Sequence, residues 1–244
     1  MKRRISLLVC LLVMLCLVVC AAAEETGLET FEVTHGSRSS RKIAITMDDV
    51  NEREWVWKTV ALCRQYNIRV TFFPCGMNLK EEDRDQWLDV IASGCEIGSH
   101  TYGHLKFHDI DTMGAIRRLG LFQEQLDKVL GVHYETRWFR PPFGRISDES
   151  GNIGPMKKAI ERYGYDHALK WDVSQTDPDK CFPMVQNGSI LLFHARKKDY
   201  NCLVELIPRL LDAGFEPVTV SELFNMEPPQ LGGELYVFSK DAYR

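Results

Sequence analysis

Short apolar runs alternate along this chain with longer amphipathic segments. The short runs predict strands over residues 43–46, 69–73, 96–99, 189–193 and 216–219. Apolar side chains recurring every three or four residues predict helices over 52–66, 83–93, 110–130, 155–163 and 200–213, with a last short helix capped by Ser221. Buried strands that alternate with helices are typical of an α/β domain with a mainly parallel sheet.

Polar residues follow these strands where each strand ends. The carboxyl ends of parallel strands share one face, where ligand and active sites are built. We therefore expect one site to contain the polar residues found at these positions, which are Asp48, Asp49, His100, His104, Arg140, Asp172, Asp177 and His194.

The first residues have the pattern of a secretory signal. A basic start is followed by an apolar run over 5–19 and by three alanines, which predicts a signal peptide over 1–23, cleaved before Glu24. Two alternatives stay open: lipidation of Cys20, although Val19 before it is bulky, and retention of the apolar run as an anchor, although it is shorter than the roughly 20 residues of a span. Each route exports the remainder, which we divide into a linker (24–41), a catalytic domain (42–226) and a tail packed on or near it (227–244).

Composition narrows the range of partners. A hydrophobic content of 45% and a charged content of 26% are ordinary for a globular protein. The net charge of −4 differs from the basic charge that is typical of nucleic-acid-binding proteins. We expect a secreted or extracytoplasmic monomer that touches a membrane only through an uncleaved N-terminal segment.

The cysteines do not form a recognisable metal or redox motif. Three of the eight lie within the first 23 residues, and none of the other five has C-x-x-C spacing. We interpret Cys63, Cys75 and Cys95 as small core residues. Cys181 and Cys202 could pair in an oxidising compartment.

Asp48 and Asp49 adjoin at the end of the first strand. Successive side chains of a strand point to opposite faces, so one carboxylate can bind a metal while the other remains a base. The alternative is a helix cap and a surface acid. His100 and His104 lie four residues apart, which on a helical turn puts both imidazoles on one side. With Asp49 they make a three-ligand set with an open position, as in catalytic zinc sites.

The remaining candidates each have a structural alternative. His108 follows His104 by four residues and is interpreted as structural or exposed. Arg140 precedes two prolines and can pair with a carboxylate in fixed geometry, or satisfy loop carbonyls. Phe143 and Gly144 present backbone N–H groups that could stabilise an oxyanion. His194 is either a packed core group or a general acid.

Five segments in this order and spacing resemble the polysaccharide deacetylases, carbohydrate esterase family four. They are 46–50 (TMDDV), 99–104 (SHTYGH), 140–144 (RPPFG), 171–177 (WDVSQTD) and 190–194 (ILLFH), and the resemblance covers about 42–224. It implies a distorted (β/α) barrel with about seven parallel strands. It also implies a metal-dependent hydrolase that removes N-acetyl groups from a glycan, such as cell-wall peptidoglycan or N-acetylglucosamine oligomers. The alternatives are O-deacetylation of a polysaccharide such as xylan, and a catalytically weak carbohydrate-binding relative.

The resemblance further implies the role of each site residue. Asp49, His100 and His104 would hold a divalent metal, zinc or cobalt. Asp48 would be the base that activates water, oriented by Arg140, and His194 would protonate the departing amine. The oxyanion and the substrate would be contacted by Phe143, Gly144 and Asp177.

Three positions depart from the family pattern. Val50 stands where the family usually has glycine. Ser174 replaces an aspartate that balances the arginine of the third motif, a role that Asp172 or Asp177 could take over. Pro178 replaces an aromatic residue that helps to wall the acetyl pocket. The metal ligands and the base are intact, so these departures concern the substrate pocket.

Overall fold

The computed structural model describes residues 28–243. Its strands are β1 (Glu32–Val33), β2 (Lys42–Asp49), β3 (Thr71–Pro74), β4 (Glu96–Ile97), β5 (Ala168–Leu169), β6 (Ile190–His194) and β7 (Glu216–Val218). Its α-helices are α1 (Glu54–Tyr66), α2 (Arg84–Ala92), α3 (Thr112–Leu130), α4 (Gly154–Tyr163), α5 (Pro178–Cys181), α6 (Lys197–Asp212) and α7 (Val220–Leu223). Short 3₁₀ turns cover Gly76–Asn78, Glu81–Asp83, Phe107–Asp109, Pro142–Gly144, Phe182–Met184 and Lys240–Tyr243.

The sheet is parallel and centred on β2. Its order is β4-β3-β2-β6, and β7 pairs with the first residues of β2. Single parallel bridges carry the pairing onward from Ser99 to Phe139 and from Phe139 to Ala168, and another joins Val173 to Leu191 in β6. The pairing thus returns to β6 through the 168–173 segment. The predicted α/β fold, a distorted (β/α) barrel, is confirmed.

Most predicted elements are present, with ends that differ by a few residues. The prediction that Ser221 caps the last helix is wrong. Thr219, not Ser221, caps α7, and its side chain accepts a hydrogen bond from the Glu222 N–H while the Glu222 side chain binds the Thr219 N–H. Ser221 is unavailable because its hydroxyl donates to Glu96, a fully buried carboxyl at 2.5 Å.

The segment predicted to be a linker, 24–41, contains a strand that precedes Lys42. Glu32 and Val33 form β1, which pairs with β5, and Val33 is buried. Arg38 forms an ion pair with Asp172 at 2.8 Å. Because Val33 has apolar surface to bury, this short segment packs on the barrel despite its polar neighbours. The expected signal peptide over 1–23 lies outside the described residues.

The tail packs against α3. The Tyr236 N–H donates to the buried carboxylate of Asp127 at 2.8 Å, and Leu231 forms a bridge with Tyr134. A side-chain carbon added at Gly120 would lie 2.1 Å from the Phe238 ring, so the ring occupies the space that a larger residue would need. Within residues 28–243, no helix is both long and apolar enough to cross a membrane.

The described cysteines are all free thiols, so the expected pairing of Cys181 with Cys202 is not formed. Burial raises the pKa of the Cys181 thiol to about 11 and that of Cys202 to about 12. Both belong to the main hydrophobic cluster, as do Cys63 and Cys95. Cys75 is equally buried but belongs to none of the three hydrophobic clusters. Its burial confirms the interpretation as a core residue, while Asp49 and His100 lie among its neighbours.

Candidate metal and catalytic site

The chain bends sharply directly after β2. Asp49 has φ +68° and Val50 has φ +58°, and the Val50 N–H donates to the Asp48 carbonyl at 2.9 Å. An i to i+2 hydrogen bond around a residue of positive φ is a γ-turn, which is rare and strained. Val50 is β-branched and fully buried, in a conformation that favours glycine. Thr101 and Phe143 also have positive φ, so backbone strain concentrates around these polar residues.

Asp48 forms a buried ion pair with Arg140. The Arg140 Nη1 donates to Asp48 Oδ1 at 2.8 Å and to the Thr46 hydroxyl at 2.7 Å, and its Nη2 donates to the Lys170 carbonyl at 2.9 Å. Arg140 is 0% exposed and Asp48 is 3% exposed. Burial lowers the pKa of Arg140, and the Asp48 charge opposes that shift.

The buried guanidinium of Arg140 is not fully hydrogen-bonded. Within the described residues, the buried Arg140 Nε has no hydrogen-bond partner. Asp172 does not take over the balancing role, because it binds Arg38, the Ser189 hydroxyl and the Ile190 N–H. Asp177 caps α5 by accepting from the Asp179 N–H, and it pairs with Lys180 at 3.4 Å. Arg140 thus has Asp48 as its carboxylate partner.

Asp49 lies between the two predicted histidines. Its Oδ1 is 3.3 Å from His100 Nε2 and 3.4 Å from His104 Nε2. The His100 Nδ1 lies 2.8 Å from the Arg140 carbonyl, which can only accept, so Nδ1 carries the proton. The Nε2 of neutral His100 therefore turns a lone pair towards a carboxylate oxygen. Two acceptors at this distance require a proton or a metal cation between them.

The histidine pair is not on a helical turn, as the spacing predicted. Residues 100–104 form an irregular loop in which Thr101 has φ +66° and its hydroxyl donates to the Gly103 carbonyl at 2.8 Å. The loop nevertheless brings the imidazoles together, with ring centroids 5.1 Å apart. The structure does not describe the side chain of His108, so its interpretation as structural or exposed stays a prediction.

Burial and neighbouring charges both shift the pKa values of Asp49, His100 and His104. Burial alone would raise the pKa of Asp49, but the contact with His100 and the charges of His100 and His104 hold it below its usual value. Burial likewise disfavours the charged form of His100, yet Asp48 and Asp49 raise its pKa. Burial and the His100 charge lower the pKa of His104. The pKa shifts of these three groups thus depend on one another, so the side chains act as one electrostatic cluster.

These residues fit a divalent metal. Asp49 Oδ1 is buried and has no hydrogen-bond partner among residues 28–243. Two imidazoles and one carboxylate are the donor set of catalytic zinc sites. The His100 tautomer is fixed by a backbone carbonyl, as is usual for metal ligands. We therefore regard the unsatisfied oxygen as a ligand atom.

Phe143 and Gly144 lie in a turn beside His104. The Phe143 ring is 59% exposed and contacts the His104 ring edge-on, with centroids 4.4 Å apart. The Gly144 N–H donates to the Pro141 carbonyl at 2.9 Å, so this N–H closes the turn. Gly144 has φ +63°, and an added side-chain carbon would lie 2.5 Å from Trp171. Of the two N–H groups, the one of Phe143 remains the candidate for an oxyanion.

His194 ends β6 directly beside Asp48, its partner in the parallel register. Its proximity contributes to the lowered pKa values of Asp49 and His104, so it belongs to the same cluster of side chains. It is partly exposed, as a group that exchanges protons with a substrate must be.

Cys75, which the sequence analysis did not include among the site candidates, lies close to this cluster. Donor atoms of Asp49, Cys75 and His100 lie within 4.8 Å of one another. The signal that could have revealed it is position, because Cys75 directly follows β3 just as Asp49 ends β2.

Comparisons with known proteins show the family of this chain. The family described as polysaccharide deacetylase matches residues 35–167, more than half of the chain. A peptidoglycan-N-acetylglucosamine deacetylase of Bacillus cereus is 29% identical over 225 residues, covering 82% of this chain and 94% of the relative.

Two solved structures share the fold. A crystal structure of a peptidoglycan N-acetylglucosamine deacetylase superposes with a TM-score of 0.69 at 23% identity, covering 81% of this chain and 94% of that one. A pseudoenzyme of family CE4 from Bacillus anthracis superposes with a TM-score of 0.68 at 18% identity, covering 82% of this chain and 71% of that one. With the family match over more than half of its length, this chain belongs to the polysaccharide deacetylase family, whose enzymes are hydrolases that deacetylate glycans.

Proposed function

We propose that this protein is a metal-dependent N-deacetylase of an exported or cell-wall glycan, with peptidoglycan as the favoured substrate. One observation carries the proposal. The buried, unpartnered Asp49 Oδ1 faces the Nε2 atoms of His100 and His104, and His100 is held in the tautomer that leaves Nε2 free.

Asp49, His100 and His104 would hold the ion, which we propose to be zinc or cobalt. Neutral imidazole and carboxylate suit these metals, and a bound ion of this kind acts as a Lewis acid towards carbonyl oxygen and water.

The chain's own residues divide the proton transfers. Asp48 binds Arg140 through Oδ1, and its second oxygen, Oδ2, lies 3.8 Å from His100 Nε2. In this role Asp48 takes a proton from the attacking water. The water oxygen bonds to the acetyl carbonyl carbon, and the carbon–nitrogen bond then breaks. His194 donates a proton to the nitrogen, so that acetate and a free amine leave. A positioned base and acid each contribute roughly 10²–10⁴-fold to such a rate.

The Phe143 N–H is proposed as the oxyanion donor, and one such donor supplies about 3 kcal/mol. The exposed Phe143 ring beside His104 gives a sugar ring an apolar surface to lie against. Asp177 is proposed to contact the substrate, although its carboxylate also caps α5.

The choice of glycan rests on the Bacillus cereus relative and on the signal-like start of the chain. Export through residues 1–23, by cleavage or as an anchor, would deliver the domain to cell-wall glycan. We propose that it acts as a monomer.

The test is acetate release by metal-stripped protein before and after zinc or cobalt is restored. Substrates are peptidoglycan, an N-acetylglucosamine oligomer and acetylated xylan. His104→Gln removes a ligand that is partly exposed, and Asp48→Asn removes the base. His167→Gln is the matched control, because His167 lies at the opposite end of the barrel, directly before β5, where its ring contacts the Thr30 carbonyl.

The proposal expects metal-dependent release from the N-acetylated substrates, lost in both site variants and retained in the control. Release from xylan alone would identify an O-deacetylase instead. Stoichiometric metal binding without release from any substrate would contradict the catalytic role and favour a binding relative, as in a pseudoenzyme.

A further inference from the structure

Cys75 is held beside Asp49 by the parallel pairing of β2 and β3. Asp49 lies opposite Pro74 in the register, and the Cys75 N–H donates to the Asp49 carbonyl at 3.2 Å. The His100 N–H in turn donates to the Pro74 carbonyl at 3.3 Å. These backbone bonds fix all three residues relative to one another, whatever their side chains bind.

The side chains converge as well. Donor atoms of Asp49, Cys75 and His100 lie within 4.8 Å of one another. The Cys75 thiol donates a hydrogen bond to the backbone carbonyl of His100 at 3.9 Å. Cys75 is 1% exposed and His100 is 2% exposed, whereas the His104 side chain is 34% exposed. The thiol therefore lies on the inner side of the site and His104 on the outer side.

This environment differs from that of every other described cysteine. Cys63, Cys95, Cys181 and Cys202 pack within the main hydrophobic cluster, and Cys75 lies outside all three clusters. Its neighbours are instead the polar side chains of Asp49 and His100. A thiol surrounded by carboxylates and imidazoles has the neighbours of a ligand.

We infer that Cys75 is a further ligand of the divalent metal and binds it through Sγ, together with Asp49 and His100, from the inner side of the site. The inference rests on the proposed metal site and extends it. As the sulfur–metal bond forms, the thiol proton leaves to solvent, so the thiol and the dication become a metal thiolate with one positive charge and one released proton.

A thiolate changes which metals the site accepts. Soft sulfur ligands select zinc and cobalt over magnesium, manganese and calcium, which prefer oxygen. The protein should therefore bind zinc more tightly and more selectively than a site with only oxygen and nitrogen ligands would.

The test uses the purified protein, stripped of metal and reconstituted with one equivalent of cobalt(II) or zinc. The inference expects a strong near-ultraviolet sulfur-to-cobalt charge-transfer band, and a sulfur shell at about 2.3 Å in zinc X-ray absorption. Both signals should vanish in Cys75→Ser and remain in Cys202→Ser, a buried thiol of the apolar core. Zinc affinity should fall by at least about tenfold in Cys75→Ser, the smallest loss typical for groups that only support a ligand.

Cys75→Ala is the second variant, used with a thermal unfolding control in case serine disturbs the fold. Cobalt bound at full stoichiometry without the charge-transfer band would overturn the role of Cys75 and leave the proposed metal site standing. A band that persists in Cys75→Ser and Cys75→Ala would do the same. Failure of the protein to bind either metal would overturn the metal site, and the role of Cys75 with it.

Discussion

Because Asp48 and Arg140 form a buried ion pair, any test of Asp48 as the proposed base must also measure the stability of the variant. Asp48→Asn removes one charge and leaves the Arg140 guanidinium, which is 0% exposed, without a carboxylate. Removing one partner of a buried ion pair costs about 3–5 kcal/mol. The asparagine oxygen can still accept from Nη1, so we expect the lower end, about 3 kcal/mol.

That cost should be visible in thermal unfolding. For a domain of about 150–250 residues, each kcal/mol shifts Tm by roughly 2–4 °C, so Asp48→Asn should lower Tm by about 6–12 °C. Arg140→Met leaves a buried carboxylate that can escape its charge by protonation. The double variant has neither charge, and its loss should be smaller than the sum of the single losses.

The assay is a double-mutant cycle by urea unfolding of the metal-free protein at neutral pH. Chelator removes any contribution from metal binding. Additive losses, or an Asp48→Asn protein within about 0.5 kcal/mol of the original, would refute the reasoning that the pair is coupled. If the pair is coupled, the activity of Asp48→Asn must be measured at a temperature well below its lowered Tm, where the variant is folded.

Three further predictions concern the site and the tail. Metal affinity should fall with decreasing pH, by about tenfold per pH unit below the raised pKa of His100, because a metal must displace the proton from its Nε2. A cobalt titration between about pH 6 and pH 8 tests this. An affinity that does not change over this range would contradict the prediction. Gly144→Ala should lower kcat and stability more than Gly151→Ala, since both residues have positive φ but only the Gly144 site has Trp171 at 2.5 Å from the added carbon. Equal effects in the two variants would show that the Trp171 contact is unimportant. Gly120→Ala should cost about 1–3 kcal/mol or release the tail to proteolysis, because the added carbon meets the Phe238 ring, and Phe238→Ala in the same chain should restore a compact tail. Unchanged unfolding and proteolysis of the single variant would count against that contact.

The sequence alone was sufficient for the fold class and for most of the site. Alternating strand and helix patterns determine which elements form, because burial of an apolar face dominates their stability. Parallel strands gather their carboxyl ends at one face, so Asp48, His100, Arg140 and His194 could be assigned to one site before any contact was known.

Tertiary structure decided how these residues are used. Local spacing predicted a helical turn for His100 and His104, but the chain forms an irregular loop with Thr101 at positive φ, held by the neighbouring strands. The Ser221 hydroxyl would suit a helix cap, yet the buried carboxyl of Glu96 takes it, and Thr219 caps α7 instead.

Cys75 shows the same limit most clearly. In the sequence it follows an apolar run and has the pattern of a small core residue. Only the register of β2 against β3, in which Asp49 lies opposite Pro74, brings the thiol of the next residue beside Asp49 and His100. Sequence determines which side chains are present at each strand end, and the register of the barrel determines which of them meet.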